Sequence, residues 1–451
     1  MSPVPLVTPT RPPPEVSRAE ALLAFVREIL PYRRSITGEG LRQTLGAIAE
    51  RIPLQVTEVF SGTPLLDWTA PPEWVVHEAH LTLPDGQRIA DWDAHPLHLV
   101  QYSGPREARM SLADLRPHLH TLPDHPDWIP YRTAYWTDDW GFCLRHCTLE
   151  SVAETFGEEA EVEVLIDTRV TDGSMSVGEC VIPGATDREI LISAHACHPA
   201  LANDNASALA VATFAAHTLL RSDERRHTIR FLFAPGTIGA LAWLAAHPEA
   251  RERVVGGLVL ANLGDAEPFV YKRSRRGTLH TPTVADRAVE TLFPGIEVRP
   301  FEPFGYDERQ FNSPGFDLPV GRLTRTPHGE YPEYHTSADD LSLLTPDALE
   351  DALEAVLSVV SAMDGNARYV STQPFGEPML GRRGLYAPIG GKALAPEAQR
   401  ALLWVLNLSD GDHDLLHIAS RSDLPFAAVR AAADRLLHAE LIRPAPSDDD
   451  A

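Results

Sequence analysis

A histidine and an aspartate stand close together in Ile192-Ser193-Ala194-His195-Ala196-Cys197-His198-Pro199, which runs on to Asn203-Asp204-Asn205. An imidazole beside a hard carboxylate suits zinc or a related divalent ion. The apolar run before His195 predicts a strand. Enzymes with parallel sheets build their sites at the carboxyl ends of such strands. Asn203 and Asn205 flank Asp204 and are placed to orient its carboxylate. Read alone, the same Asn-Asp-Asn turn also suits a helix N-cap.

Three further clusters carry chemistry-bearing residues. Thr326-Pro327-His328-Gly329-Glu330-Tyr331-Pro332-Glu333-Tyr334-His335, with Asp339-Asp340 beyond it, offers His328 or His335 as a ligand. A polar loop with capping aspartates fits it equally. Gly305-Tyr306-Asp307-Glu308-Arg309-Gln310-Phe311 offers acidic groups to meet a substrate amine, or a solvated loop. Asn262-Leu263-Gly264-Asp265 follows an apolar strand and presents Asp265 as a ligand or a turn residue.

The elements that must position these residues follow from periodicity. Over residues 160–360, short β-branched runs (VEVLIDTRV, EILISAHAC, TIRFLFAP, VVGGLVLANL) alternate with helical stretches. Such alternation predicts an α/β fold, a mostly parallel central sheet with helices on both faces. Residues 17–61 open with two helical patterns and join 156–365 as the catalytic domain. Residues 62–155 are rich in Trp, His and Pro, with a Pro-Asp-Gly hairpin signal. They read as an inserted, mostly β domain. Residues 366–394 read as a linker, and 395–445 as a winged helix-turn-helix.

Composition narrows the classes of function. The 451 residues carry 39 basic and 63 acidic side chains, for a net charge of −24. That balance repels phosphate backbones. Residues 395–445 hold five Arg and no Lys against seven Asp or Glu. Nucleic acid is therefore not the expected partner of the winged helix, and a lid or homo-oligomer contact is expected instead. No apolar run is long enough to span a membrane, and the first residues have no secretory pattern. The four cysteines form no Cys-x-x-Cys pair, which fits a reduced, cytoplasmic setting.

The order His195…Asp204-Asn205…Asp265…His335 resembles the co-catalytic zinc exopeptidases, the clan of the zinc aminopeptidases. Segments across nearly the whole chain are similar to a bacterial aminopeptidase-like family with an inserted β domain and a C-terminal winged helix. They include Arg34-Ser35-Ile36-Thr37-Gly38, Pro130-Tyr131-Arg132, Trp140-Gly141-Phe142-Cys143, His195-Ala196-Cys197-His198-Pro199, Pro235-Gly236-Thr237-Ile238-Gly239 and Pro332-Glu333-Tyr334-His335-Thr336-Ser337.

The resemblance implies a putting-together of His195, Asp204 and His335 around zinc, with Asp265 as a further ligand. It implies cleavage of an amide bond in a peptide or small-molecule substrate by metal-activated water. A deacylase or cyclase, or a non-catalytic metal-binding protein, is the alternative on the same scaffold.

Two positions depart from the clan. Cys197 replaces the carboxylate that supports the first histidine. Pro235-Gly236-Thr237 stands where a Glu-Glu pair supplies the general base and a ligand. One ion is therefore expected, with two as the alternative. Glu333 and Glu308, with Glu330 behind them, become the candidate bases and His198 a proton carrier. Asp307, Arg309 and Tyr334 are the expected substrate contacts.

Overall fold

The computed structural model describes residues 17–222, 225–385 and 396–446. An eight-stranded mixed sheet forms its centre. In order across the sheet, the strands are Gln55–Phe60, Ser174–Ile182, Thr228–Ala234, Glu189–His195, Val254–Leu260, Val320–Thr324, Val270–Lys272 and Glu297–Arg299. The four strands from Thr228–Ala234 to Val320–Thr324 run parallel. The outer pairings on both sides include antiparallel ones.

All seven residues of Glu189–His195 are buried. An apolar run without alternation is what a strand covered on both faces requires. Its neighbour comes very close: a Cβ on Gly257 would lie 2.3 Å from the Leu191 carbonyl oxygen. Helices Arg18–Ile29, Ala208–Leu219 and Pro346–Gly365 pack together against this sheet. Pro346 opens the last of these, and the Thr345 side chain accepts from Ala348 N at 3.1 Å as its cap.

The insert carries its own four-stranded antiparallel sheet, ordered Arg88–Ile89, Glu73–Thr82, Glu161–Thr171 and Arg106–Ser111. Strand Glu161–Thr171 lies beyond residue 155, the boundary that the sequence suggests. It buries Val162, Val164, Ile166 and Thr168 on one face while the residues between them are mostly exposed. That alternation belongs to a sheet with one solvated face, and the strand pairs with the insert.

The C-terminal part also starts earlier than expected. Arg368–Ser371, inside the stretch read as a linker, is the middle strand of a three-stranded sheet with Asp410–Asp414 and Ile442–Pro444. Four residues amid Pro and Gly are too few to show a period. Helices Pro396–Leu408, Leu415–Ser422 and Phe426–His438 complete a winged-helix arrangement.

Candidate metal centre

His195 is the last residue of its strand, beside Ala234 of the neighbouring strand. Residues 196–201 follow, with Ala200 at a positive φ, and the chain then enters the turn Ala202–Ser207. This turn leads directly into helix Ala208–Leu219. Asp204 in the turn is wholly buried. Its Oδ1 lies 2.9 Å from His195 Nε2, and its Oδ2 lies 3.0 Å from His335 Nε2 and 3.2 Å from His198 Nδ1. One carboxylate thus meets three imidazoles.

The turn is fixed from a distance. The Asp339 carboxylate accepts the backbone N–H groups of Asn203 at 2.6 Å and Asp204 at 3.0 Å. Asn205 Nδ2 donates to the carbonyls of His195 and Leu260 at 3.3 and 3.2 Å, and it lies 3.1 Å from His195 Nδ1. Asn205 therefore steadies the ring that no carboxylate at position 197 can hold. The Asn203 amide binds the next loop, accepting from Gly264 N at 2.8 Å and donating to Asp265 at 2.8 Å.

The electrostatics follow from burial and charge. Burial opposes ionisation of Asp204, yet the charge of His198 and the bonds from His195 and His335 hold its carboxyl well below the usual range. Burial also opposes protonation of His198, but Asp204 outweighs it and the imidazole stays protonated well above its ordinary range. Burial lowers His195 and His335. Without metal, the positive charge beside Asp204 comes from a histidine. A divalent cation would take over that role.

The expected ligand set joined His335 to His195 and Asp204. Among the described residues, the ligand atoms of His195, His198 and Asp204 all lie within 4.8 Å of one another. His198 thus enters the tight group, and His335 reaches the centre through Asp204 Oδ2. Asp265 is not brought into the cluster. One of its oxygens accepts from Asn203 and the other from Glu267 N.

Other expected site residues are differently placed. Glu308 is wholly buried, 2.8 Å from Lys272 Nζ and 3.4 Å from Arg322 Nη1, so two cations already neutralise it. Glu330 is paired with Arg299. Among the described residues, no hydrogen bond or ion pair engages the Glu333 carboxylate, which sits two residues from His335. Asp307, read as an amine contact, is wholly buried with neither oxygen hydrogen-bonded. Burial, then the charge of Glu308, pushes its carboxyl up to about 8. Arg309 reaches Thr237 Oγ1 at 3.4 Å. A Cβ at Gly236 would sit 3.1 Å from His195 Cβ and 3.4 Å from Asp307 Oδ1. Little room remains there for a glutamate.

Aromatic rings wall the centre. Tyr306 stacks on His195 at 4.9 Å between centroids, and Tyr334 stacks on His335 at 3.9 Å. Tyr131 of the insert packs edge-on against His198 and His335 at 5.3 and 5.0 Å. Tyr131 N also donates to the His335 carbonyl at 2.8 Å. The sequence gives Tyr131 no individual role and Asp339 only that of a capping aspartate, because both act through partners far away in the chain.

Known proteins resemble this chain in sequence and in fold. A domain of unknown function, DUF4910, matches residues 23–366, and a winged helix-turn-helix domain matches residues 367–444. A relative from Clostridium acetobutylicum is 39% identical over 419 residues, spanning 93% of this chain and 95% of its own. It is named for polysaccharide biosynthesis and an aminopeptidase-like domain. A crystal structure from Clostridium acetobutylicum, named as a peptidase, has a TM-score of 0.86 at 37% identity, covering 94% of this chain and 96% of that one. A zinc aminopeptidase from Bacillus subtilis has a TM-score of 0.56 at 13% identity, covering 77% of this chain and 97% of that one. At that identity the likeness is one of fold. Among the described residues, no helix is long and apolar enough to cross a membrane.

Proposed function

The chain belongs to the DUF4910 family, with an aminopeptidase-like domain followed by a winged helix, and from that premise we propose that it is a metal-dependent amide hydrolase of the aminopeptidase type. The observation that carries this reading is the buried Asp204 carboxylate, met by His195, His198 and His335 at the edge of the sheet. Imidazole nitrogens and a carboxylate are the donors zinc prefers. When bound, a zinc ion would supply Lewis acidity and a strongly acidified water.

The chain's own residues do the rest. Asp204, oriented by Asp339, fixes the centre of charge. Tyr131, Tyr306 and Tyr334 shield it from bulk water, which strengthens its electrostatics. Glu333 is the proton acceptor in this reading, since cations already neutralise Glu308 and Glu330. The insert narrows the approach to the centre, and the winged helix, packed near the strand starts through Asp414 and Arg287, serves as a contact between subunits.

A deacylase acting on a sugar-linked metabolite is the second reading. Pro235-Gly236-Thr237 in place of the acidic pair favours it, as does the relative named for polysaccharide biosynthesis.

Elemental analysis, combined with turnover of aminoacyl and acyl-amide substrates, tests the proposal. Near-stoichiometric zinc and chelator-sensitive hydrolysis are expected, both abolished by Asp204→Asn. Full metal retention in a folded Asp204→Asn protein would sink it. Turnover of acyl amides alone would select the deacylase.

A further inference from the structure

Away from the metal centre, a cavity of about 460 Å³ opens between the N-terminal helices and the insert. Arg33, Arg34, Gln43, Glu73, Trp92 and Pro199 are among its lining residues. The volume falls in the range that binds small molecules.

The charges around it do not cancel. Arg42 is matched by Glu73 through two bonds of 2.8 Å. Arg33 is matched by Asp93 at 2.9 Å and lies over the Trp92 ring, 3.8 Å from its centroid. Glu39 is exposed, and its charge falls on Arg42. Arg34 has no such match. It is 1% exposed. Its Nε donates to the His198 carbonyl at 2.7 Å and its Nη1 to the Ile29 carbonyl. Its Nη2 is buried and has no partner. Among the described residues, no carboxylate forms an ion pair with it.

A guanidinium remains protonated at neutral pH. A buried cation without a counter-charge is strongly unfavourable. The donor left over on Arg34 is half of the fork that grips a carboxylate or phosphate. We propose that this cavity binds a small metabolite through an oxyanion, carboxylate or phosphate, held by Arg34. The Trp92 ring and the amide of Gln43 line the space left for the body of that molecule. Arg34 also bonds the His198 carbonyl, so an anion here shares a residue with the segment that carries the metal-centre histidines. This inference does not depend on the metal or on the reaction.

Titration calorimetry of the full chain, kept metal-free with a chelator, tests it with sodium phosphate and sodium acetate as separate probes. One probe is expected to bind at one equivalent, and which one does so distinguishes phosphate from carboxylate. Arg34→Gln keeps hydrogen-bond donors but removes the charge. It should weaken binding at least about tenfold, the effect of losing one charge-assisted contact. Gln43→Trp, which fills the cavity from its exposed side, should weaken it similarly while Arg34 stays intact. Failure of both probes to bind at millimolar concentrations would overturn the proposal. So would unchanged binding in a folded Arg34→Gln protein. Should Arg34→Gln not fold, unchanged binding in Gln43→Trp decides against the cavity.

Discussion

The backbone N–H of Tyr131 donates to the carbonyl oxygen of His335 at 2.8 Å. His335 takes a positive φ of 55°, a conformation that a non-glycine residue keeps only when its surroundings impose it. The insert imposes it here. Ile129 N donates to Ser337 Oγ at 3.0 Å, and Ser337 N donates back to the Ile129 carbonyl at 2.8 Å. Ser337→Ala should therefore strand the Ile129 donor and cost about 1–3 kcal/mol of stability. Denaturant unfolding reads that cost. A change too small to measure would show that the clamp does not hold the loop.

The geometry separates the two outer histidines. Among the described residues, the ligand atoms of His195, His198 and Asp204 lie within 4.8 Å of one another, whereas His335 meets the group from the far loop through Asp204 Oδ2. His198→Ala should therefore lower zinc affinity more than His335→Ala, by about tenfold or greater. Competition with a chromophoric chelator gives the ranking. The reverse order would return His335 to the primary set.

Glu308 lies between Lys272 and Arg322 in the interior. Glu308→Gln should leave both cations underpaired and destabilise the fold by about 3–5 kcal/mol. A thermal melt measures it. A Glu308→Gln protein that melts like the parent but loses all turnover would make Glu308 the base instead.

Asp307 predicts a pH effect whose sign is fixed. Its carboxyl is pushed up to about 8 in the folded chain, against about 4 in an unfolded one. The folded form then holds a proton that the unfolded form has released. Stability from this group is complete below about pH 4 and falls as pH rises toward 8. Asp307→Asn removes the slope. Unfolding of the metal-free proteins at pH 5 and pH 8 should show the variant gaining on the parent at the higher pH, by on the order of a few kcal/mol. A difference independent of pH would contradict it.

The α/β fold was legible because its strands are long apolar runs separated by helical periods. Strand Glu161–Thr171 belongs to the insert's sheet and not to the central one that its apolar content suggests, and its alternation is the mark of that. His195 and Asp204 stood out as polar residues at the end of an apolar strand and in the turn beyond it. That His335 meets Asp204 depends on the path of a loop 131 residues further on. Tyr131 grips through its backbone, and a backbone contact leaves no mark in residue type. Asp339 looked like one more capping aspartate, and it does cap, but it caps a turn in another part of the chain.

That last contact has a consequence for how the molecule is made. Asp204 leaves the ribosome 135 residues ahead of the carboxylate that receives its N–H. At about 5–20 residues per second, the turn waits on the order of ten seconds for its anchor. A nascent chain halted before residue 339 would present His195 and His198 without a settled Asp204. Metal capture should therefore come late in synthesis, once the chain has passed His335 and Asp339.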